Sequence, residues 1–405
     1  MKHYIKKSLL IFLSMLVFSA CNNLSINEST LPSSAAEKVY VPPGEHDEFY
    51  AFLSGGFSGQ LSVYGLPSGR LFKIIPVFSV DAEKGYGFNE ETKDLLNTSF
   101  GRIPWGDSHH PDISQTNGKL DGRWIFINEN NTPRIGKIDL SVFETTETIE
   151  IPNTAGNHSS SYVTENTEYV IAGTRFSIPV PQRDMPIDEY KGNFKGVLSF
   201  LEVDSEDGEM DLSFQIMMPG FNYDKAHPGR GKSHGWFFYT TYNTEEANSL
   251  LEVNASQNDK DFIAAVNWKK AEEYIKQGKF KTMKTNYAHN KYDESTHTAK
   301  TEWVKEVKVL DPAELPGLVY FLPTPKSPHG CDVDPSGEYI VGSGKLSSDV
   351  TVHSFSKMIN AIEEENFSGE AYGIPILNFE AVHAGSVKQS GLGPLHTEFD
   401  NKGNQ

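Results

Sequence analysis

The chain has 405 residues, 54 acidic and 36 basic, for a formal net charge of −18. A surface this acidic has nothing with which to neutralise a phosphate backbone, which excludes nucleic acid as a partner. Only two cysteines, Cys21 and Cys331, are present, which excludes a disulfide-stapled scaffold.

Lys2, Lys6 and Lys7 make a basic start, and Leu9 to Val17 form an apolar run too short to span a bilayer. That is the pattern of an export signal over residues 1–20. Phe18-Ser19-Ala20-Cys21 reads as a lipoprotein cleavage site with Cys21 the acylated first residue, in preference to an ordinary signal with an incidental cysteine. Losing the signal removes three lysines and no acid, leaving −21. Cys331 is then the one unmodified cysteine, a small buried residue beside His329 rather than a metal ligand. Residues 21–40, rich in Asn, Ser, Thr and Glu, predict a flexible tether. The mature chain is therefore expected on the periplasmic or outer face of the cell envelope, held by lipid.

From residue 41 onward, short strand-like runs alternate with polar turns. Predicted strands are Gln60 to Tyr64, Arg123 to Ile127, Ile135 to Leu140, Tyr169 to Gly173, Gly196 to Val203, Asp211 to Met217, Tyr339 to Val341 and Val350 to Phe355. Asp121-Gly122, Ser205-Glu206-Asp207-Gly208 and Asp334-Pro335-Ser336-Gly337 supply the turns. Two stretches have helical spacing, Asn267 to Gln277 and Ser356 to Asn366, and residues 278–306 predict a polar surface loop. The class is all-β.

Histidines select the architecture within that class. His109 and His110, His158, His329 and His396 each stand ahead of a polar stretch, turn residues and then usually an aromatic-aliphatic strand. A unit repeated with imidazole at the same place predicts a β-propeller of four-stranded blades, its histidines converging on a central channel. Convergent neutral imidazoles suit copper, zinc, iron and nickel. His3, His46, His289, His297, His353 and His383 lie in polar or unrepeated contexts and read as ordinary packing or surface residues. His227 and His234 flank a glycine-rich loop that is either anion-binding or a simple turn. Asp107, two residues before His109, either caps a turn or accepts a ring N–H and fixes its tautomer.

Gly106-Asp107-Ser108-His109-His110-Pro111, Ser327-Pro328-His329-Gly330-Cys331, Gly342-Ser343-Gly344-Lys345-Leu346-Ser347 and Gly391-Leu392-Gly393-Pro394-Leu395-His396-Thr397 resemble, in order and separation, signature segments of nitrous oxide reductases. The export signal resembles that of the atypical, Sec-exported branch. The resemblance runs from about residue 50 to the end. It implies reduction of N2O to N2 and water, the last step of denitrification, at a sulfide-bridged four-copper cluster, CuZ, held by seven histidines in a seven-bladed propeller. His109, His110, His158, His329 and His396 resemble five of those ligands.

The resemblance further implies a C-terminal cupredoxin domain with a two-copper CuA centre, a head-to-tail homodimer, and a periplasmic donor such as a c-type cytochrome or a membrane quinol chain. It also implies a calcium site, onto which Tyr242, Glu245 and Asp261 map, although a solvated acidic loop reads equally well there. The unit opened by His396 reaches Gln405 before its strand begins. Residues 41–405 are thus expected to be a propeller lacking its last blades and the CuA domain, and inactive as they stand. Two other readings remain open: a single-metal hydrolase or lyase on the same scaffold, and an exported lipoprotein propeller that binds a partner without catalysis.

Overall fold

The structure is a computed structural model describing residues 34–98, 101–181, 186–190, 193–244, 261–285, 292–293, 298–299, 306–389, 391–400 and 403–404. It divides into two units. The smaller comprises residues 1–51 and 65–70. It contains the one-turn helix Ala35–Lys38, closed by a capping box in which Ser34 Oγ accepts from the Glu37 amide and Glu37 returns its carboxylate to the Ser34 amide. In the same unit the Asp47 carboxylate accepts from Ser68 and pairs with Arg70 at 2.9 Å.

The larger unit, residues 52–64 and 71–405, is a β-propeller-like arrangement of four blades. The first blade is an antiparallel meander of Ser108–Thr116, Lys119–Glu129, Arg134–Asp139 and Glu144–Glu150. The fourth is another, of Pro328–Val333, Tyr339–Gly344, Asp349–Ser354 and His383–Lys388. Tight turns join the strands because glycine takes the left-handed position that other residues resist: Gly118 at φ 69°, Gly337 at φ 73°. The predicted Asp121-Gly122 turn instead lies within the strand Lys119–Glu129.

The second and third blades depart from the four-stranded expectation. The second begins with Ser159–Val163, Tyr169–Gly173, Phe194–Val203 and Met210–Met218, and then adds Glu306–Leu310 in parallel and Lys281–Lys284 beyond it. The third runs Phe221–Pro228, Trp236–Thr244, Phe262–Asn267 and Val319–Pro323, followed by Ile374–Leu377 in parallel and Phe367–Ala371. These additions cover the rows of unpaired backbone groups that an outer strand exposes. They also correct the predicted surface loop: Lys281–Lys284 is an edge strand whose Met283 packs on a core of Val, Ile and Met side chains.

Both predicted helices form, as Trp268–Lys276 and Phe355–Glu363. Asn267 and Ser354 cap them, each accepting from the amide three residues on. Every third residue is buried, Trp268-Ala271-Tyr274 and Phe355-Met358-Ala361, which lays one face of each helix on the sheets. Among the described residues no helix is long and apolar enough to cross a membrane.

Candidate metal centre

Each of the four blades opens with a strand whose pairing slips at or directly beside its chemistry-bearing residues. In the first, Ser108 opposes Glu129 but Pro111 opposes Ile127, so His109 and His110 fall in the slip. In the second, the irregularity between Ser159 and Tyr162 follows His158 directly. In the third it spans Asp224 and Lys225, between Tyr223 and Ala226. In the fourth it spans His329, between Pro328 and Gly330. A bulge bends its strand and re-aims a side chain that regular pleating would send elsewhere.

The five histidines come together. His109, His110 and His158 present one ligand atom each, all within 4.8 Å of one another. Their ring centroids are 4.6, 4.2 and 4.9 Å apart. His396 lies 6.0 Å from His110 and stacks on His329 at 5.0 Å, with the two Nε2 atoms 3.1 Å apart.

Asp224 ties this group together and was not singled out from the sequence. It is fully buried, with Oδ2 at 2.5 Å from Nδ1 of His329, Oδ1 at 3.6 Å from Nδ1 of His158, and Arg175 at 2.9 Å. Burial alone would raise its pKa. The two imidazoles and the guanidinium outweigh burial and hold the carboxylate far below the usual range. The Asp107 carboxylate accepts from the Asn130 side chain at 3.2 Å and acts on His109 through space, favouring its protonation. The sequence signal for Asp224 is positional, since the third blade carries it in the slip where the first and fourth carry histidine.

Burial and neighbouring charged or imidazole groups favour the neutral form of His109, His110 and His396. The pKa of His110 is pushed down to about 2, first by burial and then by His158, and that of His396 to about 4 by burial and Lys225. Burial also lowers His109. Neutral imidazole is the form that binds metal. Nε2 of His110 is buried without a hydrogen-bond partner, as a nitrogen reserved for a metal would be. The donor set therefore fits a late transition metal, copper included.

The other candidates separate from this group. His227 meets Asp332 at 3.2 Å, and His234 lies 3.3 Å from Glu165 and 3.1 Å from Glu168, so both flanks of the glycine-rich loop are occupied by carboxylates, as in a structural turn rather than an anion site. His353 is buried with its ring edge-on to Phe379, and His383 bonds Ser386. Cys331 is a fully buried core residue whose thiol burial pushes well up. Asp261 accepts from the Ser327 amide at 2.8 Å. The side chain of Tyr242, and Glu245, Cys21, His3, His289 and His297, lie outside the described residues.

No family model matches the chain. It is 32% identical over 378 residues to the nitrous-oxide reductase of Pseudomonas fluorescens, covering 91% of this chain and 52% of that protein. To the nitrous-oxide reductase of Stutzerimonas stutzeri it is 30% identical over 375 residues, with the same coverages. The resemblance seen in the motifs thus extends over nine tenths of the chain, and the chain spans about half the length of the curated relatives it matches. Among solved structures, the hydrazine synthase of Kuenenia stuttgartiensis matches with a TM-score of 0.51 at 13% identity, covering 87% of this chain and 75% of that one, which is a likeness of fold alone.

Proposed function

We propose that this chain supplies the propeller part of a nitrous oxide reductase, reducing N2O with two electrons and two protons to N2 and water. The observation that carries the reading is the meeting of His109, His110, His158, His329 and His396, from three blades and a following segment, in the same space. The names of its relatives point the same way. The five imidazoles would hold copper, in the full protein the sulfide-bridged CuZ cluster, and copper in its lower oxidation states supplies the electrons.

The protein's own residues prepare the place. Asp224 orients His158 and His329 and balances positive charge; burial favours the unprotonated form of His109 and His110. A cavity of about 210 Å³, lined by His110, Asp112, Lys225, His227 and Glu398 among others, gives a small linear molecule room beside the cluster. Periplasmic location, lipidation at Cys21, a homodimer, an external electron donor and calcium at Tyr242, Glu245 and Asp261 belong to the same proposal.

Electron entry through a separate CuA domain belongs to the same proposal, so metal binding is the direct test for the residues described. Anaerobic titration with Cu(I) should load the protein, and His109→Ala with His329→Ala should remove most of that capacity. One equivalent of zinc or iron bound in preference to copper would favour the single-metal hydrolase or lyase and overturn the copper reading. N2O consumption with a reduced dye, after the chain is joined to the electron-entry domain of a relative, tests the reaction itself.

A further inference from the structure

We infer that Lys225 is a positioning residue that docks the segment carrying His396 against the other four histidines. The inference rests on the metal-centre reading for its purpose, though not for its geometry. His109, His110, His158 and His329 stand in or beside the first strands of blades, where a hydrogen-bonded ladder fixes them. His396 has no such support, because residues 391–400 form neither helix nor strand. Its place is set by three contacts from the third and fourth blades.

Lys225 stands beside Asp224 in the bulge of the third blade and is 8% exposed. Its ammonium donates to the Thr397 carbonyl at 3.4 Å and pairs with the Glu398 carboxylate, so it grips the chain on the C-terminal side of His396. Ser343 Oγ donates to the Leu395 carbonyl at 2.6 Å on the other side. Gly330 makes the approach possible: a Cβ there would lie 2.1 Å from the Leu395 carbonyl oxygen and 3.2 Å from the Cα of His396. Between these holds the ring of His396 lies parallel to that of His329, at 15°.

The charge itself argues for this role. An ammonium buried beside a cluster of imidazoles opposes both their protonation and the binding of a metal cation, and it lowers His110 and His396 as a secondary cause. Burying it is costly unless it is paired. Its pairing partner sits two residues beyond His396, so the return on that cost is the placement of this one segment. A neutral side chain of the same length would fill the space but would leave Thr397 and Glu398 unheld.

Lys225→Met keeps the stem and removes the grip, and Lys225→Arg keeps a cation. Limited proteolysis of the full chain without metal reads the dock directly. Chymotryptic cleavage after Leu395 or Phe399 should be faster in Lys225→Met and stay near wild type in Lys225→Arg, with cleavage elsewhere unchanged in both. Copper titration adds the link to His396: Lys225→Met and His396→Ala should each weaken binding by about 10–100-fold. The double variant should be no weaker than His396→Ala, since both act through one ring. Unchanged cleavage at 395–399 in Lys225→Met, or losses that simply add, would overturn the inference. A wild-type chain that takes up no copper would sink the metal reading, and the cleavage result would then decide the dock alone.

Discussion

Asp224 is a carboxylate with no exposed surface, kept ionised by two imidazoles and a guanidinium. Removing its charge leaves the Arg175 guanidinium and both ring nitrogens facing a neutral amide. Asp224→Asn should therefore bind copper about 10–100-fold more weakly, the usual effect of losing a carboxylate behind metal-binding histidines. Competition with a chelator of known affinity measures this, and an unchanged constant would mean that Asp224 does not orient the rings. The five histidines were legible in the sequence because imidazole is uncommon and recurred at one place in a repeated unit. Asp224 was not, since aspartate abounds in polar turns and only the assembled blades show that it stands in the slip that holds histidine in the first and fourth blades. Asp107, read from the sequence as either a turn cap or a ring partner, precedes the bulged strand and hydrogen-bonds the Asn130 side chain.

Between elements, the turn between the first two strands of the second blade meets the loop between the first two strands of the third through His234, which contacts Glu165 and Glu168. Both partners shift toward their charged forms. His234 rises above its ordinary 6.5, mainly through the bond to Glu168; burial would raise Glu168, but His234 and Thr164 bring it down to about 2. The histidine contribution is full below about pH 6.5 and is lost as pH rises through its higher folded value. The glutamate contribution is full above about 4.5 and is lost as pH falls toward 2. The pair should stabilise most between those limits. Chemical denaturation of wild type and His234→Gln should show a stability difference that is largest near pH 5–6 and narrows above neutrality; a constant difference would rule out the ion pair as its cause. Helices and flanking strands were legible because their signals are local: a cap, an i,i+3 apolar face, an alternating run. The strand Phe221–Pro228 was not, because Asn222, Asp224 and Lys225 are polar yet buried and fit no amphipathic pattern. Its burial exists only because other blades surround it.

At the scale of the whole molecule, the candidate metal ligands belong to no single blade. Three blades and the segment after the fourth supply the imidazoles, and the third supplies the aspartate that joins two of them. Opening any one blade would thus dismantle the site, so a metal bound there is released only when the unit unfolds. Ligand that binds the folded state alone adds about 2.7 kcal/mol when its free concentration is 100 times Kd. Calorimetry on the apo chain and after loading with Cu(I) should show one transition moved upward as a whole. The same loading should leave a His109→Ala, His110→Ala variant where its apo form melts. Local binding at a single surface histidine, such as His383, would instead raise Tm little and would survive that double substitution. Copper-dependent stabilisation that persists without His109 and His110 would therefore show that the blades do not share a metal, and the propeller would be a scaffold whose chemistry lies elsewhere.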